Sequence, residues 1–567
     1  MFRLGLCMPS SCSEYDVQDL INLATKDVDF PANVKRCESK SDFEYQSHEF
    51  IILSILALFL AIIVIATIIN ICFDCMSPDK PDQNAKCAKT FGLFSRLSLC
   101  QSIPKLLECN VDGDAFDVIR GMKVLTVFFA IYMHTYGLPH PLHLYRFRDT
   151  LNLSKFMNDI LFETIANASV GVDTIFFLAG FICIYNRWRQ LKRPGVILYI
   201  LKFIFLNYIR MVALQVLVIC LFFLTPILGS GPLWQEFVEE PLNNCSEKWW
   251  MNLLFIQNFL GPYDSCLYHT WVLAAMMQIF VATTVVVWLM NRWPVLGILS
   301  NVFLILLTIV AVASVTAIFD YPATFAIYFY DYRVSKHMWK NLYVQSYTHM
   351  GPYCIGMLVA YFVAENSPRK IQKHVSFFLW LASFVTCSAI IFGLHPYHDG
   401  RPMERGLAIF YAAVHRPSWA LAIGWIVYAC ATGHGGVVNS FLSWKFFVPL
   451  ERLCYMAYLL HVPLMYYQGG IQRERVYMGH YNQMMSFLSY AVTSFILSFI
   501  CYLIFQVPYE VLEGFIFRKQ GGSIWQVDPS ASSEEALEDA EKTSDNGSST
   551  EDNSKVLYNR SSQCDKF

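Results

Sequence analysis

The sequence predicts an all-α fold, a polytopic membrane helix bundle of about eleven spans, on two observations. Of its 567 residues, 55% are hydrophobic and only 15% are charged, well below the roughly 25% charged of a soluble domain. The apolar residues also gather into runs of about 20, the length that crosses a hydrocarbon core about 30 Å thick. Lysines and arginines number 42 against 44 acids, for a net charge of −2, so the broad positive field of a nucleic-acid binder is missing. The sequence holds no Gly-x-x-x-x-Gly-Lys-Ser/Thr phosphate loop and no His-Glu-x-x-His metal helix.

Residues 1–48 read as the end of an exported cysteine-rich domain. Cys7, Cys12 and Cys37 precede the first apolar run, and three thiols in an oxidising space cannot all pair among themselves. The chain is therefore expected to start inside a longer secreted domain. Residues 49–73 carry the first span, Phe50 to Cys72, almost uncharged and rich in Ile and Leu. Residues 74–115 form a cytosolic linker. Its region holds Cys72, Cys75, Cys87, Cys100 and Cys109 at irregular spacing with no accompanying His, which favours reduced or palmitoylated thiols over zinc.

Residues 116–510 hold about ten further runs. They lie near Val118 to Tyr136, Ser169 to Tyr185, Val196 to Leu224, Thr270 to Met290, Val295 to Phe319 and Met350 to Val363. The rest lie near Val375 to Leu394, Leu407 to Thr432, Phe446 to Tyr467 and Phe487 to Val507. Residues 511–567 turn polar and acidic, as in Ser533 to Glu541, and read as a disordered cytosolic tail.

Positive loop charge sets the orientation. Arg187, Arg189, Lys192 and Arg193 fall on the same side as Arg369, Lys370 and Lys373 if the spans alternate, and that side is expected to be cytosolic. The first residues then face outward and the tail inward. The outer side receives the glycosylation sequons at Asn152, Asn167 and Asn244, and the loop cysteines Cys245 and Cys266. Those two close a loop of about 20 residues and are expected to form a disulfide. No retention tag ends the chain at Cys564-Asp-Lys-Phe567, so plasma membrane and endoplasmic reticulum are both allowed.

An ionisable side chain inside hydrocarbon needs a partner or a task. The candidates are Lys123 and His134 in the second run, Asp173 in the third, Arg210 in the fourth, Arg416 in the ninth, and Arg452 with His461 in the tenth. Lys123 alone reads as a snorkelling anchor, and His134 or His461 alone as an interfacial histidine. Arg210 and Arg416 lie near mid-span and imply a polar cavity or buried pairing. Lys123 and His134 are eleven residues apart, about three helical turns, so they share one face roughly 16 Å apart. His140/His143 and His395/His398 have metal-like spacing but no further ligands, and no metal site is expected.

Taken together, these residues resemble a family. Lys123, ten residues and then His134 is similar to the Arg/Lys-x10-His motif of the acyltransferase-3 family. The stretch Asp173-Thr-Ile-Phe-Phe-Leu-Ala-Gly180 resembles its signature of an Asp, a Phe-Phe pair and a Ser-Gly, with Ala179 in place of the Ser. Leu4 to Cys12, His269-Thr-Trp271-Val-Leu273, Ser443-Trp-Lys-Phe446 and Arg452 to His461 resemble the animal branch called nose resistant to fluoxetine, over nearly the whole chain. The resemblance implies a ten-span domain that moves an acyl group from cytosolic acyl-CoA to a hydroxyl or amine acceptor on a lipid, sugar or small molecule. In that reading acyl-CoA is a co-substrate, no cofactor is held permanently, and membrane lipids are the other partners. His134 is the expected general base, oriented by a carboxylate such as Asp173, or else forms a transient acyl-histidine. Lys123, Arg210, Arg416 and Arg452 are expected to hold the anionic donor, with His461 and Trp271 on the acceptor side. Three further positions depart from the family pattern: Asn207 and His349 replace arginines, and Met276 replaces a carboxylate. Those departures motivate the alternative, a non-catalytic lipid or xenobiotic carrier of the same fold. A channel fits less well, since the charges are scattered over unlike helices.

Overall fold

The structure, a computed structural model, describes residues 8–9, 11–26, 32–34, 37, 46–76, 95–109, 116–136, 147–148, 158–185, 196–261, 264–325, 331–365, 371–398, 401 and 403–517. Among them there is no β-strand, only an isolated parallel bridge between Phe147 and Val476. The principal helices are α1 (Glu14–Ala24), α2 (Ser47–Met76), α3 (Leu99–Leu107), α4 (Phe116–Tyr136), α5 (Glu163–Ala166), α6 (Ser169–Tyr185) and α7 (Val196–Phe223). Then follow α8 (Glu240–Leu253), α9 (Trp271–Arg292), α10 (Pro294–Phe319), α11 (Tyr332–Met338), α12 (Ser346–Glu365), α13 (Lys373–Phe392) and α14 (Arg405–Ala431). The chain closes with α15 (Gly436–Leu442), α16 (Phe447–Ile471), α17 (His480–Cys501) and α18 (Val507–Phe517). Residues 1–511 form one compact unit and residues 512–567 a second; the described part of the second is the end of α18. The tail, the basic loop at Arg187 to Arg193, Arg369 and Lys370, the cysteines Cys7 and Cys87, Asn152 and the pair His140/His143 lie outside the described residues.

Each predicted apolar run falls on one helix except the last, Phe487 to Val507, which runs from α17 through the π-helical turn Tyr502–Gln506 to the start of α18. Among the described residues seven helices are long and apolar enough to cross a bilayer, or up to nine if two bent pairs each form one span. The predicted eleven is thus a count of helices rather than of established spans. One bent pair joins residues 160–166 to α6 at 45°, and the other joins α14 to α15 at 90°. The two helices that fall short are α12 and α16. They carry His349 and Glu451, Arg452 and His461 respectively, and such polar groups lower hydropathy while satisfying each other inside the bundle. By contrast α2 exposes Phe50, Leu58, Ile65 and Ile68, as suits a helix bathed in lipid.

Local signals place the ends. Ser13 and Asp16 form a capping box on α1, with the Ser13 amide donating to the Asp16 carboxylate at 2.8 Å. Ser98 caps α3, accepting from the Cys100 amide at 3.2 Å. Asp331 caps α11 through the Arg333 amide at 2.8 Å.

The tightest crossing joins α6 to α12. A Cβ on Gly180 would lie 2.0 Å from the Tyr353 carbonyl oxygen, and one on Gly356 would lie 2.1 Å from that of Phe177. Only glycines allow this approach, the small-residue solution to packing without a hydrophobic driving force. It also brings Asp173 on α6 against His349 on α12. Gly180→Ala is therefore expected to force the helices apart and to cost about 1–3 kcal/mol or more, read as a lower thermal unfolding temperature in detergent. Gly121 makes a similar contact on α4, where an added Cβ would lie 2.1 Å from the Leu442 carbonyl oxygen of α15.

Candidate active site

α4, α6, α9, α16 and the π-helical turn Trp339–Tyr343 surround a cavity of about 70 Å³ lined by His134, His269, Trp271, Trp339, Tyr343 and Tyr458, among others. It has room for a few waters or a small polar group. A π-turn widens the helical path by one residue and often marks functional positions; here it carries two aromatic rings to the wall.

A chain of hydrogen bonds fixes the state of His134. The His461 Nδ1 lies 2.5 Å from the Tyr458 carbonyl oxygen. A carbonyl only accepts, so His461 carries its proton on Nδ1 and, when neutral, offers a lone pair at Nε2. That Nε2 lies 2.8 Å from His134 Nδ1, so His134 donates there and keeps an unprotonated Nε2. His134 is 9% exposed and lines the cavity, while His461 is fully buried. The two rings stack with centroids 5.0 Å apart. His269 is arranged likewise: its Nε2 donates to the Leu459 carbonyl at 3.1 Å, and its buried Nδ1 has no hydrogen-bond partner. Of the two, the His269 Nδ1 is buried, so the lone pair offered to the cavity is that of His134 Nε2, the equipment of a general base.

Asp173 is not part of this chain. The carboxylate expected to orient His134 instead accepts from Arg416 Nη1 at 2.6 Å and contacts His349 Nδ1 at 2.7 Å. His461 on α16, assigned to the acceptor side, takes the orienting position, its Nε2 lying 2.8 Å from His134 Nδ1. Asp173 and His349 are fully buried, and Arg416 is 5% exposed. Arg416 therefore does not stand with Lys123 but lies over the Tyr343 ring, 5.5 Å from its centroid. Trp271 lines the cavity, with its ring 5.2 Å from that of His349.

At the other end of α4, Lys123 pairs with Glu451. The charges of Lys123, Arg120 and Arg210 all bear on that carboxylate. Arg120 also pairs with Asp117. Arg452 donates from Nη1 to the Lys105 and Leu106 carbonyls at 2.6 Å each, which caps the C-terminus of α3. Reading the sequence for intramembrane ionisable groups found Asp173 but passed over Glu451, which stands beside Arg452 in the same run. Tyr343 and Trp339 carried no sequence signal, since aromatic residues are abundant throughout.

Of the three departures, His349 is integrated into the buried cluster. Asn207 donates within its own helix to the Phe203 carbonyl at 2.9 Å, and Met276 packs half-buried against the core. Cys245 and Cys266 form a disulfide. Asn167 is 2% exposed, and its Nδ2 donates to Glu163 at 3.0 Å and to the Ile391 carbonyl at 2.8 Å. A glycan takes the place of one of the two hydrogens on that nitrogen, so it would break one of these bonds, and the buried side chain leaves it no space; Asn167 is not a glycosylation site in this fold. Asn244 is half-buried beside the disulfide and accepts from Lys248 at 3.4 Å. His395 contacts the fully buried Glu163 at 3.0 Å.

Residues 115–503 match the acyltransferase domain that defines the acyltransferase-3 family. The chain is 25% identical to Nose resistant to fluoxetine protein 6 of Caenorhabditis elegans, over 92% of this chain and 67% of that protein. It is 22% identical to Regulator of hypoxia-inducible factor 1 of Caenorhabditis elegans, over 74% of this chain and 84% of that one. No solved structure matches. With the domain match covering well over half of its length, this multi-pass membrane chain belongs to the acyltransferase-3 family.

Proposed function

We propose that the protein is a membrane acyltransferase that moves an acyl group from acyl-CoA to a hydroxyl-bearing lipid, sugar or small molecule, with His134 as general base. The observation that carries this reading is the unprotonated Nε2 of His134, set by the bonds to His461 and the Tyr458 carbonyl and facing a cavity. An acceptor hydroxyl gives its proton to that nitrogen as its oxygen attacks the acyl carbon. The Lys123, Arg120 and Arg210 end of the same bundle supplies cations for the phosphates of the donor. The positive-loop bias supports a cytosolic donor end and outward-facing first residues, in the plasma membrane or endoplasmic reticulum.

Purified protein supplied with labelled acyl-CoA and a panel of acceptors tests the assignment. His134→Ala is expected to slow transfer by about 10²–10⁴-fold with its thermal unfolding unchanged. An undiminished rate would remove His134 from the chemistry. Ligand flux without acyl-CoA consumption, undisturbed in His134→Ala, would instead make the protein a lipid or xenobiotic carrier.

A further inference from the structure

The cavity has a second half whose chemistry is opposite to that of the histidines. Tyr343, Trp271 and Trp339 line it, and the Tyr343 hydroxyl and both indole N–H groups have no hydrogen-bond partner among the described residues. The same cavity is therefore lined by unused donors and by the unused acceptor of His134.

Behind these donors lies a net positive charge. His349 Nε2 is 2.7 Å from the Tyr343 carbonyl oxygen, which can only accept, so that nitrogen is protonated. The contact between His349 Nδ1 and Asp173, 2.7 Å, needs a second proton. If the proton sits on the imidazole, the pair is His⁺ with Asp⁻; if it sits on the carboxyl, both are neutral. With Arg416 the cluster carries +1 either way. The remaining titratable neighbour, His415, donates from Nδ1 to the Tyr411 carbonyl at 2.8 Å, and its buried Nε2 has no partner, so it supplies no negative charge. Both cationic partners bear on Tyr343: His349 holds its backbone carbonyl, and Arg416 lies over its ring.

We infer that this side of the cavity is an oxyanion site, with the Tyr343 hydroxyl as the hydrogen-bond donor to the acyl oxygen and His349 and Arg416 as positioning residues that supply the compensating charge. The inference rests on the acyl-transfer reading above and deepens it. As the acceptor oxygen bonds to the acyl carbon, its proton passes to His134 Nε2 and the carbonyl electron pair moves onto oxygen, where the Tyr343 O–H meets it. The pair then returns, the carbon–sulfur bond breaks, and the departing thiolate takes the proton back from His134. The products are the ester and free coenzyme A thiol. The charge develops only during reaction, where a preorganised donor in a dry site is most effective.

Tyr343→Phe keeps the ring beneath Arg416 and removes only the donor. It is expected to lower kcat by about 10²-fold, with KM for acyl-CoA and acceptor and the thermal unfolding unchanged. His349→Gln removes the shared proton and with it the net charge, and is expected to lower kcat by about tenfold; His349→Arg keeps the charge and is expected to restore the rate. Tyr343→Phe at the wild-type rate, beside an inactive His134→Ala, would overturn the oxyanion site while leaving the base in place. A change confined to KM would overturn it too, by assigning Tyr343 to ground-state binding. Failure of His349→Arg to recover the rate, in a protein of normal thermal stability, would overturn the role of the charge. No transfer by the wild-type protein on any acceptor would overturn both readings together.

Discussion

Truncating Asp173 to alanine is expected to destabilise the protein by about 3–5 kcal/mol, whereas Arg416→Met is expected to cost only roughly 1–2 kcal/mol. Each variant removes one member of the same 2.6 Å ion pair, so a simple pairwise view gives them equal costs. The cluster is not pairwise. Without Arg416, the Asp173–His349 unit still shares one proton and is neutral overall, and the long methionine fills much of the vacated volume. Without Asp173, the Arg416 guanidinium stays charged because arginine does not deprotonate. It is then left at 5% exposure with no carboxylate partner, in a region where water cannot replace it. Equilibrium unfolding in detergent distinguishes the two, and the ordering of the variants is the decisive result. Equal losses would mean that the shared proton does not neutralise the Asp173–His349 pair.

Replacing His461 with phenylalanine is expected to lower kcat by about 10²-fold or more while leaving donor affinity and folding intact. His461 accepts from His134 Nδ1 at 2.8 Å and is itself held by the Tyr458 carbonyl at 2.5 Å. Removing the acceptor frees the His134 proton to sit on either ring nitrogen and frees the ring to turn. A histidine whose orienting partner is changed to favour the wrong tautomer can lose much of its activity with its position unchanged, as serine protease triads show. Phenylalanine keeps the packing against Tyr458 and His269, whose ring centroids lie 5.4 Å from that of His461. Steady-state kinetics on the folded variant provide the measurement, and a wild-type kcat would show that the orientation of His134 is set elsewhere. Donor affinity serves as the internal control, because Lys123 and Glu451 lie at the opposite end of α4.

The run of apolar segments, the helical class and the membership of Lys123 and His134 in one helix face were legible in the sequence, because each depends on residues close together along the chain. Periodicity and run length register burial in lipid directly, and the helices fall where the runs do. The spacing of Cys245 and Cys266 also sufficed, since a short loop leaves few alternatives. What composition could not report was which polar groups share a helix crossing. The cations at 123, 210, 416 and 452 look alike as intramembrane charges, yet Lys123 meets Glu451, Arg416 meets Asp173, and Arg452 caps α3. Asp173 and His349 are joined across 176 residues of chain, through a contact that only the glycine-lined approach of α6 to α12 permits.

Asn167 shows the same division. Its sequon is complete in sequence, and only the packed position of its side chain, donating to Glu163 and Ile391, removes it as a glycan acceptor. The sequence by itself therefore determined the class of the fold, the family and the pairing of Lys123 with His134 in one motif, because hydrophobic periodicity and motif spacing are one-dimensional properties. Tertiary structure alone decided which ring nitrogen of His134 carries its proton, the partners of Lys123, Asp173, Arg416 and Arg452, and the net charge behind the cavity wall. Those depend on hydrogen-bond direction and ångström-scale proximity between helices far apart along the chain.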